Sequence, residues 1–106
     1  NTPFRLFKHW VHEGGITTPL VAHWPGQVQP GTINTAKTGH VKDVMATLLE
    51  AAGASYPESY GGNRLTPLAG RSLLPGLRDR TAATNETLFW EHEGNRAVRD
   101  GKWKLV

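Results

Sequence analysis

Val41, Val44, Met45, Leu48, Leu49 and Ala52 recur at intervals of three and four residues, the spacing that lines one face of a helix. His40 and Asp43 stand at the start of this pattern in an N-cap and capping-box arrangement, and Gly53 closes it. Leu20-Val21-Ala22-His23-Trp24 is different: it is apolar on both alternating faces and ends at Pro25-Gly26. That predicts a strand buried on both sides in a parallel or mixed sheet, with the helical stripe covering one of its faces. Near the end of the chain, Thr87-Leu88-Phe89-Trp90-Glu91, Arg96-Ala97-Val98-Arg99 and Lys102-Trp103-Lys104-Leu105-Val106 read as strands. Asp100-Gly101 is a hairpin signal between the last two, so an antiparallel sheet opens here.

The segments between these elements are connecting structure. Residues 1–12 read as loop or short irregular backbone, and residues 26–39 as a polar linker. Residues 56–80 carry Pro57, Pro67 and Pro75 among spaced leucines, the pattern of a long loop pinned to a core by Leu65, Leu68, Leu73, Leu74 and Leu77. Within it Ser72 is placed to cap a short turn through Leu73-Leu74-Pro75. Thr81-Ala82-Ala83-Thr84-Asn85 reads as a hinge, dividing the chain into 1–80, an α/β part, and 81–106, the first strands of an antiparallel part.

Composition narrows the function. A length of 106 residues suits one small domain or a piece of a larger one. The piece is the expectation, because Trp103-Lys104-Leu105-Val106 would leave an apolar edge strand without its continuation. The net charge of +3 is too mild for an extended nucleic-acid footprint. The chain has no cysteine, which excludes disulfides and thiolate metal sites. No apolar run approaches the ~18 residues of a membrane span.

Chemistry concentrates in Phe7-Lys8-His9-Trp10-Val11-His12-Glu13-Gly14-Gly15-Ile16-Thr17-Thr18-Pro19. Lys8 reads as a fixed positive charge for an anionic substrate, and Gly14-Gly15 as a place where backbone approaches a ligand or a neighbouring segment. His9, His12 and Glu13 are metal-ligand types, but the zinc-protease spacing needs a second histidine where Ile16 stands, so no metal site is expected there. His23, within an apolar strand, reads as a hydrogen-bonded core residue. Glu91 and Glu93 would share a strand face that His92 does not. Lining a site and lying on ordinary loop surface suit His92 equally, and Lys102 with Lys104 reads as a solvated strand face.

Lys8-x-x-x-His12-Glu13-Gly14-Gly15-x-x-x-Pro19, an apolar run and Trp24-Pro25-Gly26 together resemble the sulfatases, in particular the bacterial arylsulfatases of the alkaline phosphatase superfamily. Asp43-x-x-Ala46-Thr47-Leu48-Leu49, Leu68-x-Gly70-x-Ser72-Leu73 and Leu88-Phe89-Trp90-Glu91-His92-Glu93-Gly94-Asn95-Arg96-Ala97-Val98-Arg99, leading into Gly101-Lys102-Trp103-Lys104-Leu105, continue the likeness across nearly the whole chain. The resemblance implies an α/β fold: 1–80 as the last part of the large sulfatase domain, and 81–106 as the first strands of a small C-terminal antiparallel subdomain. It implies a parent that hydrolyses sulfate esters of small molecules or sugars with a formylglycine nucleophile and calcium. Lys8 would contact the sulfate, Glu13, Gly14 and Gly15 would shape its loop, and His92 would lie on the substrate side.

The formylglycine sequence, Cys or Ser followed by x-Pro-Ser-Arg, does not occur here, nor does an acidic calcium cluster; Ser72 is followed by Leu73-Leu74-Pro75. Neither cofactor is therefore expected to be ligated by these residues, and the 106 residues alone are expected to be inactive without the N-terminal part of the sulfatase domain. Two other readings are a phosphate or phosphonate ester hydrolase of the same superfamily and a non-catalytic module binding sulfated polysaccharide through Arg5, Lys8, Lys102 and Lys104. Self-association through apolar surface is a third expectation. Many bacterial relatives are exported, so a periplasmic parent is in keeping with the resemblance, which leaves the compartment open.

Overall fold

The elements run α1 (Glu13–Ile16), α2 (Asp43–Ala51), β1 (Ser59–Tyr60), β2 (Asn63–Arg64), α3 (Leu74–Arg78), β3 (Leu88–His92), β4 (Asn95–Asp100) and β5 (Trp103–Leu105). The computed structural model describes residues 2–35, 38–79 and 86–106. They fall into two units, Asn1–Val21 with Asn85–Val106, and Ala22–Thr84. The hinge expected at 81–85 lies outside the described residues.

In the Ala22–Thr84 unit, α2 forms where its periodicity predicts. Gly53, at φ +64, stops it, and the Ala54 N–H reaches back to the Leu49 carbonyl at 2.9 Å. Its best-buried residue is Asp43, 4% exposed. One carboxylate oxygen of Asp43 accepts the His40 N–H at 2.8 Å and the other the Arg71 N–H at 3.0 Å. One turn on, the Thr47 hydroxyl donates to the Asp43 carbonyl and accepts the Leu73 N–H at 2.9 Å. The loop after Leu68 is thus fastened to α2 by hydrogen bonds to its backbone. Gly70 passes so close that a Cβ there would lie 2.0 Å from the Lys42 carbonyl oxygen. The loop leads into α3, where Ser72 Oγ accepts the Leu74 N–H at 3.2 Å and Pro75 occupies the first turn, as its sequence suggests. Gly61 and Gly62, both at positive φ, turn β1 into β2; this small hairpin sits in a stretch the sequence reads as loop.

The expected strand at 20–24 does not form: its residues adopt no regular structure, and Val21 is 88% exposed. A strand covered on both faces needs a hydrogen-bonded neighbour along its edges, and none pairs with it among the described residues. His23 is correspondingly exposed and not a core residue. Val44, Met45 and Leu48 of the α2 stripe are exposed as well. The architecture is a mixture of short helices with two antiparallel sheets.

In the other unit, β3–β4–β5 is an antiparallel meander. Its register pairs Leu88 with Arg99, Trp90 with Ala97 and His92 with Asn95, then Arg99 with Lys104. Directly paired residues share a face, so Leu88, Trp90, His92, Ala97, Arg99 and Lys104 form one side. Leu88 and Ala97 on that side are buried, as is Val11 of the N-terminal segment. The opposite side pairs Phe89 with Val98 and Val98 with Leu105; there, an open hollow of about 820 Å³ also touches Glu91, Arg96 and Val106. Glu93 and Gly94, at φ +51 and +80, make the two-residue turn from β3 to β4, the geometry that matches strand twist.

Asp43→Ala strips the acceptor from two backbone N–H groups and should cost about 2–3 kcal/mol of unfolding free energy. Urea unfolding measures this, and a loss below about 0.5 kcal/mol, the scatter of ordinary surface changes, would show that Asp43 does not fasten the loop.

Candidate functional site

Lys8 lies in a tight loop whose backbone twice enters the left-handed region, at Leu6 (φ +62) and at Lys8 itself (φ +43). That conformation costs a residue with a Cβ roughly 1–2 kcal/mol, so neighbouring structure has to hold it. The first turn of α1 supplies the hold. The Gly14 N–H of that turn donates to the Arg5 carbonyl at 3.0 Å, and within the loop the Trp10 N–H donates to the Phe7 carbonyl at 3.1 Å. A Cβ on Gly14 would lie 1.9 Å from the Leu6 carbonyl oxygen, and one on Gly15 1.8 Å from that of Trp10. The glycine pair is there because another stretch of main chain occupies the space of two side chains. Lys8 itself is exposed and, among the described residues, enters no hydrogen bond or ion pair.

Glu13, between the Lys8 loop and the glycines, is tied to the sheet. Lys104 Nζ donates to Glu13 Oε1 at 2.7 Å, Thr17 Oγ1 donates to Oε2, and Arg99 Nη1 stands 4.0 Å from Oε2. The Lys104 side chain is only 13% exposed, and its ammonium also lies 5.8 Å from the centre of the Trp90 ring. This differs from the solvated face expected of Lys102 and Lys104: Lys104 shares the inward side with Trp90 and Arg99, while the Lys102 ammonium lies over the Trp103 ring at 5.1 Å. The Lys104 hydrogen bond, then that of Thr17, with the charges of Lys104 and Arg99 behind them, outweighs burial and lowers the Glu13 pKa from its ordinary value of 4.5.

The same side of the sheet brings His92 to the Lys8 loop. The rings of His92 and His9 stack with centroids 6.2 Å apart and planes 16° from parallel. His9 Nδ1 lies 3.0 Å from Glu93 Oε2, and His92 Nε2 3.8 Å from Glu93 Oε1. Glu93 reaches this side because it occupies the β3–β4 turn; the alternation that would seat it with Glu91 ends at His92. The sequence signal for this was present in Glu93-Gly94, a two-residue turn between strand-like runs. His12 is half-buried, and its carbonyl starts α1 by accepting the Gly15 N–H at 2.9 Å. The structure therefore groups Glu13, Gly14 and Gly15 behind the Lys8 loop, sets His92 beside Lys8's neighbour His9, and adds Glu93 together with Lys104 and Arg99, whose parts the sequence does not reveal.

Residues 4–106 match a family model described as N-sulphoglucosamine sulphohydrolase, C-terminal. A sulfatase of Formosa agariphila is 33% identical over 102 residues, covering 94% of this chain and 18% of that protein. Human arylsulfatase A is 33% identical over 106 residues, covering 94% of the chain and 19% of the relative. Mouse steryl-sulfatase is 34% identical over 104 residues, 97% of the chain and 15% of the relative. The chain thus spans about a fifth or less of the length of the relatives it matches.

A carboxylate whose pKa is depressed on folding stabilises the fold above its unfolded pKa, and that contribution is lost as pH falls through the folded value. The unit holding Glu13 should therefore lose thermal stability as acidification passes below 4.5, and Glu13→Gln should flatten this part of the profile while lowering stability at neutral pH. Melting temperatures of both proteins from about pH 7 to about pH 3 test it; parallel profiles would show that the Glu13 tie carries no stability.

Proposed function

The chain belongs to the sulfatase family, in the C-terminal part that its matching model describes, and from that membership we propose that it forms part of a sulfuric ester hydrolase of arylsulfatase type. The observation that carries the assignment is the presentation of Lys8: a solvent-exposed ammonium on a loop fixed by Gly14, Gly15 and the Glu13–Lys104 tie. A sulfate ester of a small molecule or a sugar is the proposed substrate. When its ester bond breaks, negative charge grows on the leaving oxygen and the sulfate oxygens. A compact ammonium on a flexible stem can follow that charge, and stabilisation counts toward rate where it is stronger in the transition state than in the bound substrate. His92 lies on the same side and is proposed to line the substrate approach.

Formylglycine and calcium, which likeness to the arylsulfatases implies, do not fit the residues present. The chain has no cysteine and no Ser-x-Pro-Ser-Arg. The three-residue ligand cluster among the described residues is His9, His92 and Glu93, whereas calcium takes oxygen ligands. Nucleophile and calcium are thus assigned to the rest of the sulfatase domain, the proposed partner of these residues, and the chain alone is proposed to be inactive. In this reading 1–80 completes the large alkaline-phosphatase-like α/β domain and 81–106 begins the small antiparallel subdomain.

In the full-length parent, Lys8→Ala should lower kcat/KM for 4-nitrophenyl sulfate by about 10²–10³-fold, the cost of removing one charge-stabilising donor, without shifting the melting temperature. Preferred turnover of 4-nitrophenyl phosphate would move the parent to the phosphate-ester branch of the superfamily. Unchanged kcat/KM in Lys8→Ala would reduce the loop to scaffold.

A further inference from the structure

The His9, His92 and Glu93 cluster adjoins the Lys8 loop, shares His92 with the proposed substrate approach, and has its own chemistry. One donor atom from each of the three side chains lies within 4.8 Å of the others, and all three residues are exposed. Two imidazoles and a carboxylate are a ligand set of borderline transition metals, which imidazole suits better than it suits calcium or magnesium. From these positions we infer that His9, His92 and Glu93 form a three-ligand site for a divalent transition metal, zinc being the reference ion, with the remaining coordination position open to water or an anion.

The distances fit. Bonds of about 2.0–2.2 Å in tetrahedral geometry set ligand atoms roughly 3.3–3.6 Å apart. His9 Nδ1 lies 3.0 Å from one Glu93 oxygen and His92 Nε2 3.8 Å from the other, and one ligand atom from each residue lies within 4.8 Å of the others, so the site closes around an ion by rotations of exposed side chains that bring one carboxylate oxygen to both rings. The backbone fixes two of the ligands: the Glu93-Gly94 turn sets Glu93, and Asn95 Nδ2 donates to the His92 carbonyl at 3.2 Å. His9 comes from the loop held by the glycine pair. A metal at His9 Nδ1 takes the place of the close contact between His9 and Glu93, leaving the ring proton on Nε2. Neighbouring cations leave the cluster open, because Lys104 and Arg99 face Glu13, and Arg96 faces Glu91 on the opposite side of the sheet.

The site makes a prediction separate from sulfate-ester turnover. Zinc chloride titrated calorimetrically into the full-length parent, with excess calcium filling oxygen sites, should bind saturably at one equivalent that is lost or weakened in His9→Ala and Glu93→Gln. Losing a partner that merely orients a ligand costs about 10–100-fold in metal affinity, so losing a ligand should cost at least that much. Copper(II) in place of zinc should give an electron paramagnetic resonance spectrum with hyperfine splitting from two nitrogens in wild type and one in His9→Ala. Circular dichroism of both variants checks that they fold. Absence of saturable zinc binding, zinc binding equal in wild type and variants, or nitrogen splitting unchanged in His9→Ala would each overturn the proposal.

Discussion

The contact between Glu13 and Lys104 is the constraint on which the candidate site depends. An ammonium with 13% of its side chain exposed has given up most of its water and needs a partner; removing that partner costs more than the pair contributes by forming, because a desolvated charge is left behind. Glu13 meets the need with one oxygen and uses the other for Thr17 and Arg99. Through that carboxylate the first turn of α1 is tied to the sheet, and through the glycine pair the Lys8 loop is tied to the same turn. The cation offered to solvent at Lys8 is thus held in place by a second cation that solvent barely reaches.

Strand register decides which side chains share in this arrangement. Leu88, Trp90 and His92 alternate with Phe89 and Glu91, and pairing carries the same division onto β4 and β5. The inward side therefore combines a small apolar core with Arg99, Lys104 and His92, while Phe89, Val98 and Leu105 are gathered on the other. A one-residue slip would exchange the two sets. The two-residue turns at Glu93-Gly94 and Gly101-Lys102 fix the register at both ends of β4.

Much of this was legible in the sequence wherever structure is local. Most of the helical stripe read from Val41 to Ala52, the Gly53 stop, the turn at Ser72 and the three strands with their hairpin near Gly101 follow from short-range patterns. The family was legible too, because its residues lie in several separate stretches in a fixed order. The irregular backbone at 20–24 was not, since an apolar run of this kind is a strand only where others pair with it. The role of Lys104 was hidden for a related reason. Alternation gives a side chain's face, but the carboxylate that face meets lies far away in the sequence. Glu93 departs from the alternation that Glu91 suggests because β3 ends at His92 and Glu93 already belongs to the turn.

The Glu13–Lys104 bond joins residues 91 positions apart, and that separation bears on the order in which the molecule assembles. The β3–β4–β5 meander closes through two-residue turns and can form early. Closing a loop of about ninety residues costs about 2 kcal/mol more in chain entropy than closing one of about ten. Contacts of such long range are rewarded late. The Lys8 loop itself closes through contacts within residues 5–15, so what comes late is its attachment: the meeting of Glu13 with Lys104 and of His9 with His92, on a sheet whose own turns are local.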